Sequence, residues 1–320
     1  MILVTGGTGF LGSELIKQLT DANQPVRAIK RLTSTIPKIL IHQPLIEWCN
    51  ADINEPSTLA DVFDDIAKVY HCAAFVSLNA ADKKKLYHVN IDGTSNVINL
   101  CQEHKCRLLY VSSVAALGEA KKGEEINEAD YWEYNSNAQA YGLSKYEGEM
   151  EVWRGIAEGL DAVIVNPSVI IGENAGFEGS GAIFKLIKDG FKFYTDGAVG
   201  LVDVKDVAKA MVLLMESEIT SERFIISSEN YTYKNLFGAI ADGFGLPRPE
   251  TEAKAWMLGL AWRTLKVGAW FTGKAPAITK ETAKSSVTKS YYCNKKIVEE
   301  IDIQFKSVAQ SIKDITNYLS

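Results

Sequence analysis

The sequence predicts an α/β fold, a doubly wound parallel sheet with a smaller C-terminal substrate-binding lobe. Three observations carry that expectation. The chain opens on an apolar, β-branched run, Ile2-Leu3-Val4-Thr5, which ends in Gly6-Gly7-Thr8-Gly9 and passes into a segment with apolar residues at helical spacing (Phe10, Leu11, Leu15, Ile16, Leu19). Short strand-like runs then alternate with helix-like segments, the pattern of successive βαβ units. Finally, 320 residues with 47% apolar content can bury a large core, and no repeat, low-complexity tract or flexible linker divides them, so the two lobes are expected to interleave.

The first strand, turn and helix form a ready site for a dinucleotide pyrophosphate, which makes the fold Rossmann-type. Glycines let the backbone turn sharply and approach phosphates, and the free amides of the first helical turn point at the negative charge. The spacing is Gly6-x-x-Gly9-x-x-Gly12, and the candidate contacts are Gly6, Thr8, Gly9, Phe10, Leu11 and Gly12. The second strand, Pro25 to Arg31, ends where an NAD-selective site would carry an acidic residue for the ribose 2′-hydroxyl. Lys30 and Arg31 stand there instead, with Lys38 beyond, and a guanidinium pairs well with a 2′-phosphate. NADP is therefore the expected cofactor; NAD stays open if these are solvated charges at a strand end.

The third strand, Leu45 to Ala51, runs into Asp52-Ile53, which either bracket an adenine or, for Asp52, cap the helix starting near Pro56. The fourth, Lys68 to Cys72, opens into Ala73-Ala74, small enough for a cofactor to cross the strand ends. His71 reads as a packed core histidine. A long helix is predicted over Lys84 to His104, with Asn90 among apolar neighbours; a buried amide must find partners, and tying the neighbouring strand backbone is the role we expect, with reach into the active site as the alternative.

The fifth strand, Arg107 to Ser112, ends in the hydroxyls of Ser112 and Ser113, where an open sheet presents its ligand cleft. Tyr141 and Lys145 follow at the start of a helix running toward Ile156, and the four-residue spacing puts them on one face. A free phenol has a pKa of ~10. A neighbouring ammonium favours the phenolate and draws that value toward neutrality, which suits acid–base work. The sixth strand, Ala162 to Val165, leads to Asn166-Pro167-Ser168, expected beside the nicotinamide, and Glu173 to Gly181 reads as a loop at the substrate mouth.

Composition excludes several classes. A net charge of −6 without a basic, aromatic-interleaved stripe argues against nucleic acid. The 5 cysteines show no Cys-x-x-Cys pair and no metal-ligand spacing with the 4 histidines, so no metal is expected and the thiols fit a reducing, cytoplasmic setting. A strand beginning at residue 2 leads us to expect no signal peptide. The stretch 255–271, with three tryptophans, Arg263 and Lys266, is too short and too charged to span a bilayer. We expect it to roof an apolar pocket; peripheral membrane contact and packing on a partner stay open, and, separately, so does a homodimer.

Together these segments resemble the extended short-chain dehydrogenase/reductase family, the NAD(P)-dependent epimerase/dehydratase group. The carriers are Thr5 to Gly12, Asp52-Ile53, Ala73-Ala74, Val111-Ser112-Ser113, Tyr141-x-x-x-Lys145, Asn166-Pro167 and Val202-Asp203-Val204. Within the family the likeness is greatest to the dihydroflavonol-4-reductase and 3β-hydroxysteroid dehydrogenase branch. The resemblance implies a dinucleotide-binding domain over 1–168, with a return segment about 199–228, and a substrate lobe from 169–198 and 229–320. It also implies that Arg31 and Lys38 contact the 2′-phosphate and that Tyr141 exchanges a proton with the substrate oxygen. Lys145 would lower the Tyr141 pKa and bind the nicotinamide ribose, and Ser113 would hydrogen-bond the reacting carbonyl. Sugar-nucleotide members usually place an arginine ahead of the Val-Asp-Val segment, whereas Thr195 to Leu201 holds no cation. The expected activity is therefore hydride transfer to or from a small or medium apolar substrate. The alternatives are a nucleotide-sugar epimerase or dehydratase with retained cofactor, and an NADP-binding regulatory protein.

Overall fold

The computed structural model describes residues 1–320 except 122, 134–138, 255, 260–261 and 264–279. One sheet is wholly parallel. It comprises β1 (Ile2–Thr5), β2 (Val26–Lys30), β3 (Ile46–Asn50), β4 (Lys68–His71), β5 (Arg107–Val111), β6 (Ala162–Pro167) and, after three strands of the smaller lobe, β10 (Glu222–Ile226). The spatial order β3-β2-β1-β4-β5-β6-β10 reverses direction between β1 and β4. Ligands of open sheets bind at the strand carboxyl ends beside such a reversal.

Strand side chains alternate between faces, and both faces here are covered, so the strands are apolar throughout. Ile2 and Val4 face the layer of α1 (Phe10–Asp21) and α7 (Val204–Glu216), meeting Leu15, Ile16, Val207 and Met211. Leu3 faces the other layer, with Val97 and Ile98 of α4 (Gly93–Glu103) and Val152 of α5 (Ala140–Ala157). The short α2 (Pro56–Ala60) adds Leu59 to that side. The helix predicted over Lys84 to His104 is interrupted: α3 (Lys83–Tyr87) widens into a π turn, His88–Asp92, before α4. That turn is where Asn90 is buried. Its amide accepts from the Phe75 N–H at 2.7 Å and donates to the Phe75 carbonyl at 2.9 Å and Ser144 Oγ at 2.9 Å, the structural role expected of it.

The smaller lobe is built on β7 (Val169–Ile171), β8 (Phe193–Tyr194), β9 (Ala198–Asp203), β11 (Glu229–Thr232) and β12 (Thr251–Glu252), paired as β11-β9-β7 and β12-β8. Its core joins Phe184 and Ile187 of α6 (Ala182–Lys188), Leu236 and Ile240 of α8 (Tyr233–Gly243), and Ile312 and Ile315 near the C-terminus. Two short helices, α9 (Lys280–Ser285) and α10 (Lys295–Ile301), precede α11 (Val308–Leu319). The predicted loop Glu173 to Gly181 contains two helical turns, Glu173–Ala175 and Gly179–Gly181. The return segment about 199–228 divides: β9 pairs within the small sheet, while α7 and β10 rejoin the large one. Asp203 makes that division, capping α7 through the Lys205 N–H at 2.9 Å and holding Ser311 Oγ at 2.8 Å and Lys306 Nζ at 3.1 Å. The stretch 255–271 lies mostly outside the described residues; 256–259 and 262–263 are helical. Among the described residues no helix is long and apolar enough to cross a membrane, and no group of acidic, histidine or cysteine side chains could hold a metal ion.

Candidate active site

The glycine turn is shaped by close approach. Gly6 has φ +67°, and a Cβ there would sit 2.6 Å from the Ala73 nitrogen; at Gly12 it would meet the Gly6 carbonyl at 2.3 Å. Gly9 is the N-cap of α1, no side chain caps that end, and no acidic residue stands in its first turn. The orphan amides and the positive end of the helix dipole are thus uncompensated. A diphosphate fits this cradle. Thr8, Phe10 and Leu11 are half-buried around it.

The remaining predicted cofactor residues are placed as follows. Arg31 and Lys38 are exposed beyond β2, and among the described residues neither side chain makes an ion pair or hydrogen bond. Lys30, by contrast, is spent on Asn50 Oδ1 at 2.9 Å. Asp52 does not cap α2, whose N-cap is Glu55; its Oδ1 accepts from the Asn54 N–H at 3.0 Å instead, a local turn that competes with capping. Ile53 is 5% exposed, its side chain committed to the core beside Gly93. Ala73 donates its N–H to Thr5 Oγ1 at 3.2 Å, and Ala74 is exposed. Asn166, Pro167 and Ser168 are all buried at the end of β6. The Asn166 amide is turned inward, donating to the Ser113 carbonyl at 3.1 Å and to Glu149 Oε2 at 2.8 Å.

Ser113, Tyr141 and Lys145 come together at the carboxyl ends of β4, β5 and β6. Ser113 caps the short 114–116 turn, its Oγ accepting from the Ala115 N–H at 3.1 Å, and it is near enough to Tyr141 to act on the phenol. Lys145 is one helical turn on and 1% exposed. The close seating of α5 depends on Gly148, where a Cβ would lie 2.3 Å from the Asn90 carbonyl and 2.8 Å from Tyr110 Oη.

The spacing of Tyr141 and Lys145 predicts an ammonium acting on the phenol. The structure turns that ammonium elsewhere. Lys145 Nζ donates to Tyr110 Oη at 3.0 Å and to the Val111 carbonyl at 2.8 Å, and lies 4.6 Å from the Tyr110 ring centre. A buried ammonium must put its protons on acceptors, and the end of β5 supplies them. Burial pushes the Tyr141 phenol above its ordinary value, with the Ser113 hydrogen bond opposing. Burial likewise lowers Lys145 to about 8, against the opposing pull of Glu149 and Cys72.

Three residues that sequence reasoning missed complete the site. Tyr110 carries the Lys145 contact onward: its ring centre lies 5.6 Å from that of His71, whose Nε2 lies 3.1 Å from Thr94 Oγ1 and whose Nδ1 lies 2.6 Å from Thr5 Oγ1. Burial lowers His71 to about 3, so it is a neutral core histidine as expected. Glu149 receives Ser112 Oγ at 2.6 Å, and Arg223 Nη1 reaches it at 3.0 Å. The one signal for Glu149 was its position four residues after Lys145; nothing in the sequence marked Arg223.

Fold and site therefore define an α/β protein of the dinucleotide-binding class, with a glycine turn after β1 and a serine, a tyrosine and a lysine gathered at the end of β5. Residues 2–227 match the NAD dependent epimerase/dehydratase family, and the chain belongs to that family. A putative dihydroflavonol 4-reductase of Synechocystis is 31% identical over 98% of this chain and 93% of its own length. Tetraketide alpha-pyrone reductase 2 of Arabidopsis thaliana is 31% identical over 71% of this chain and 77% of its own. Among solved structures, gox2253 superposes with a TM-score of 0.85 at 27% identity, covering 99% of this chain and 97% of its own.

Proposed function

We propose that this chain is an NADPH-dependent reductase of small or medium apolar carbonyl compounds, running in reverse as an alcohol dehydrogenase. The observation that carries the reading is the gathering of Ser113, at the end of β5, with Tyr141 and the buried Lys145, which share one face of α5 and whose ammonium reaches the Val111 carbonyl at 2.8 Å. When bound, the cofactor supplies the hydride. Tyr141 gives its proton to the forming alkoxide. Its raised pKa keeps it protonated at neutral pH, which suits the reductive direction. Ser113 donates to the same oxygen and stabilises the developing charge.

Arg31 and Lys38, exposed and without a side-chain partner among the described residues, support NADP over NAD, since a 2′-phosphate would find two cations to pair with. An apolar substrate is favoured by the approach to β9, where Lys289 is bound to Asp196 at 2.8 Å. A substrate diphosphate would have to break that pair. The reductase names of the two relatives described above support it. A panel of aromatic and aliphatic aldehydes, ketones and alcohols, followed by nicotinamide absorbance with each cofactor, tests the reading. NADPH consumption that is lost in Tyr141→Phe is expected. A co-purifying cofactor that turns over without net consumption would instead favour the epimerase reading.

A further inference from the structure

A second buried charge lies beside this site with no part in the proposed chemistry. Glu149 is one turn beyond Lys145 on α5 and 0% exposed. Its Oε2 accepts from Ser112 Oγ at 2.6 Å and Asn166 Nδ2 at 2.8 Å, and its Oε1 from Arg223 Nη1 at 3.0 Å and Trp153 Nε1 at 3.3 Å. These donors occupy both oxygens, so the pocket is built for the ionised carboxylate.

Two consequences reach the active site. The first is geometric. Ser112 precedes Ser113, and the Asn166 amide that binds Glu149 also donates to the Ser113 carbonyl at 3.1 Å. Ser113 is thus tied to α5 on both sides. Arg223 spends its other donors on the carbonyls of Glu128 at 2.6 Å and Asp130 at 3.3 Å, anchoring the segment that leads toward Tyr141.

The second consequence is electrostatic. Lys145 is faced by Tyr141 and Glu149 from its own helix, by Tyr110 from β5, and by His71 and Cys72 at the end of β4. Burial keeps both phenols and the Cys72 thiol protonated, the thiol pushed up to about 12, and His71 is neutral. Arg223 is the ion-pair partner of Glu149 at 3.0 Å and is also a cation. Glu149 is therefore the one anion in this set, and its field favours the Lys145 ammonium.

We propose that Glu149 is a positioning residue of this site: it ties Ser113 to the helix that carries Lys145, and its charge, one turn along that helix and held by Arg223, also acts on the Lys145 ammonium. The role takes its meaning from the serine–tyrosine–lysine reading, but its test does not. NMR titration of isotope-labelled lysine ε-carbons in cofactor-free protein reads the Lys145 midpoint directly, the signal being assigned by its loss in Lys145→Arg. In Glu149→Gln the midpoint is expected at lower pH than in the wild type; an unchanged or raised midpoint overturns the proposal. Should that variant not fold, Glu149→Asp withdraws the charge by one methylene and should move the midpoint the same way by less, with no movement overturning the proposal. Loss of Ser113 placement in Glu149→Gln is expected to lower kcat for NADPH-dependent carbonyl reduction about a hundredfold. The alkaline limb of the rate profile should shift to lower pH. An equal loss at every pH with an unshifted limb assigns Glu149 to folding alone. If no carbonyl is reduced at all, the reductase reading fails while the NMR outcome still decides the proposal.

Discussion

Gly148→Ala should impair turnover more than its small size suggests. A Cβ at this position would lie 2.3 Å from the Asn90 carbonyl, a backbone atom, where ordinary contact begins at 3.4 Å. The helix must therefore withdraw by about 1 Å. Alanine in place of a helical glycine contributes about 1 kcal/mol. Overpacking against fixed backbone costs about 1–3 kcal/mol. The difference is a destabilisation of up to about 2 kcal/mol, readable by urea denaturation. Turnover should suffer more. Lys145 lies three residues before Gly148, and its 3.0 Å bond to Tyr110 crosses the same interface. A displacement of this size is expected to lower kcat about a hundredfold. NADPH affinity should change little, because the glycine cradle belongs to β1 and α1. Wild-type kcat together with wild-type stability would refute the reasoning, since α5 could then not be seated on the π turn as described.

Tyr141→Phe is expected to lower carbonyl reduction by about a hundredfold to ten-thousandfold with NADPH binding nearly intact; a wild-type rate would remove the phenol from the mechanism. Arg31→Ala should weaken NADPH binding by about tenfold or more and leave NADH almost unaffected, as titration of nicotinamide fluorescence would show; equal losses would end the selectivity argument. The low Lys145 pKa also makes a stability prediction. Folded, this lysine loses its proton near about 8 rather than at the ordinary 10.5, so between those values the unfolded chain binds more protons. Wild-type stability relative to Lys145→Met should thus rise with pH from about 8 toward 10.5, and a flat or falling difference in denaturation curves would contradict the burial account.

The parts of the fold legible from residues alone are local. The run Ile2 to Gly12 specifies strand, turn and helix because glycine and apolar periodicity act within a few residues, and the spacing of Tyr141 and Lys145 places them on one side of whatever helix forms. His71 and Asn90 could be assigned to the interior because a polar group among apolar neighbours must be satisfied there. Asp52 was ambiguous for the converse reason: a short carboxylate can serve a cap or a turn, and its surroundings choose.

The sequence alone thus determined that a strand, a glycine turn and a helix begin the chain, that parallel strands follow, and which residues could do acid–base work. Only the tertiary structure decided where the Lys145 ammonium points, that Asn166 faces Ser113 and Glu149, and that β9 leaves the large sheet while β10 rejoins it. Those outcomes rest on contacts between elements far apart in the chain, Arg223 with Glu149 and Asp203 with Ser311 among them. Periodicity and propensity extend over a few turns of chain. The direction of a buried charge depends on which acceptors the packed neighbours bring within reach.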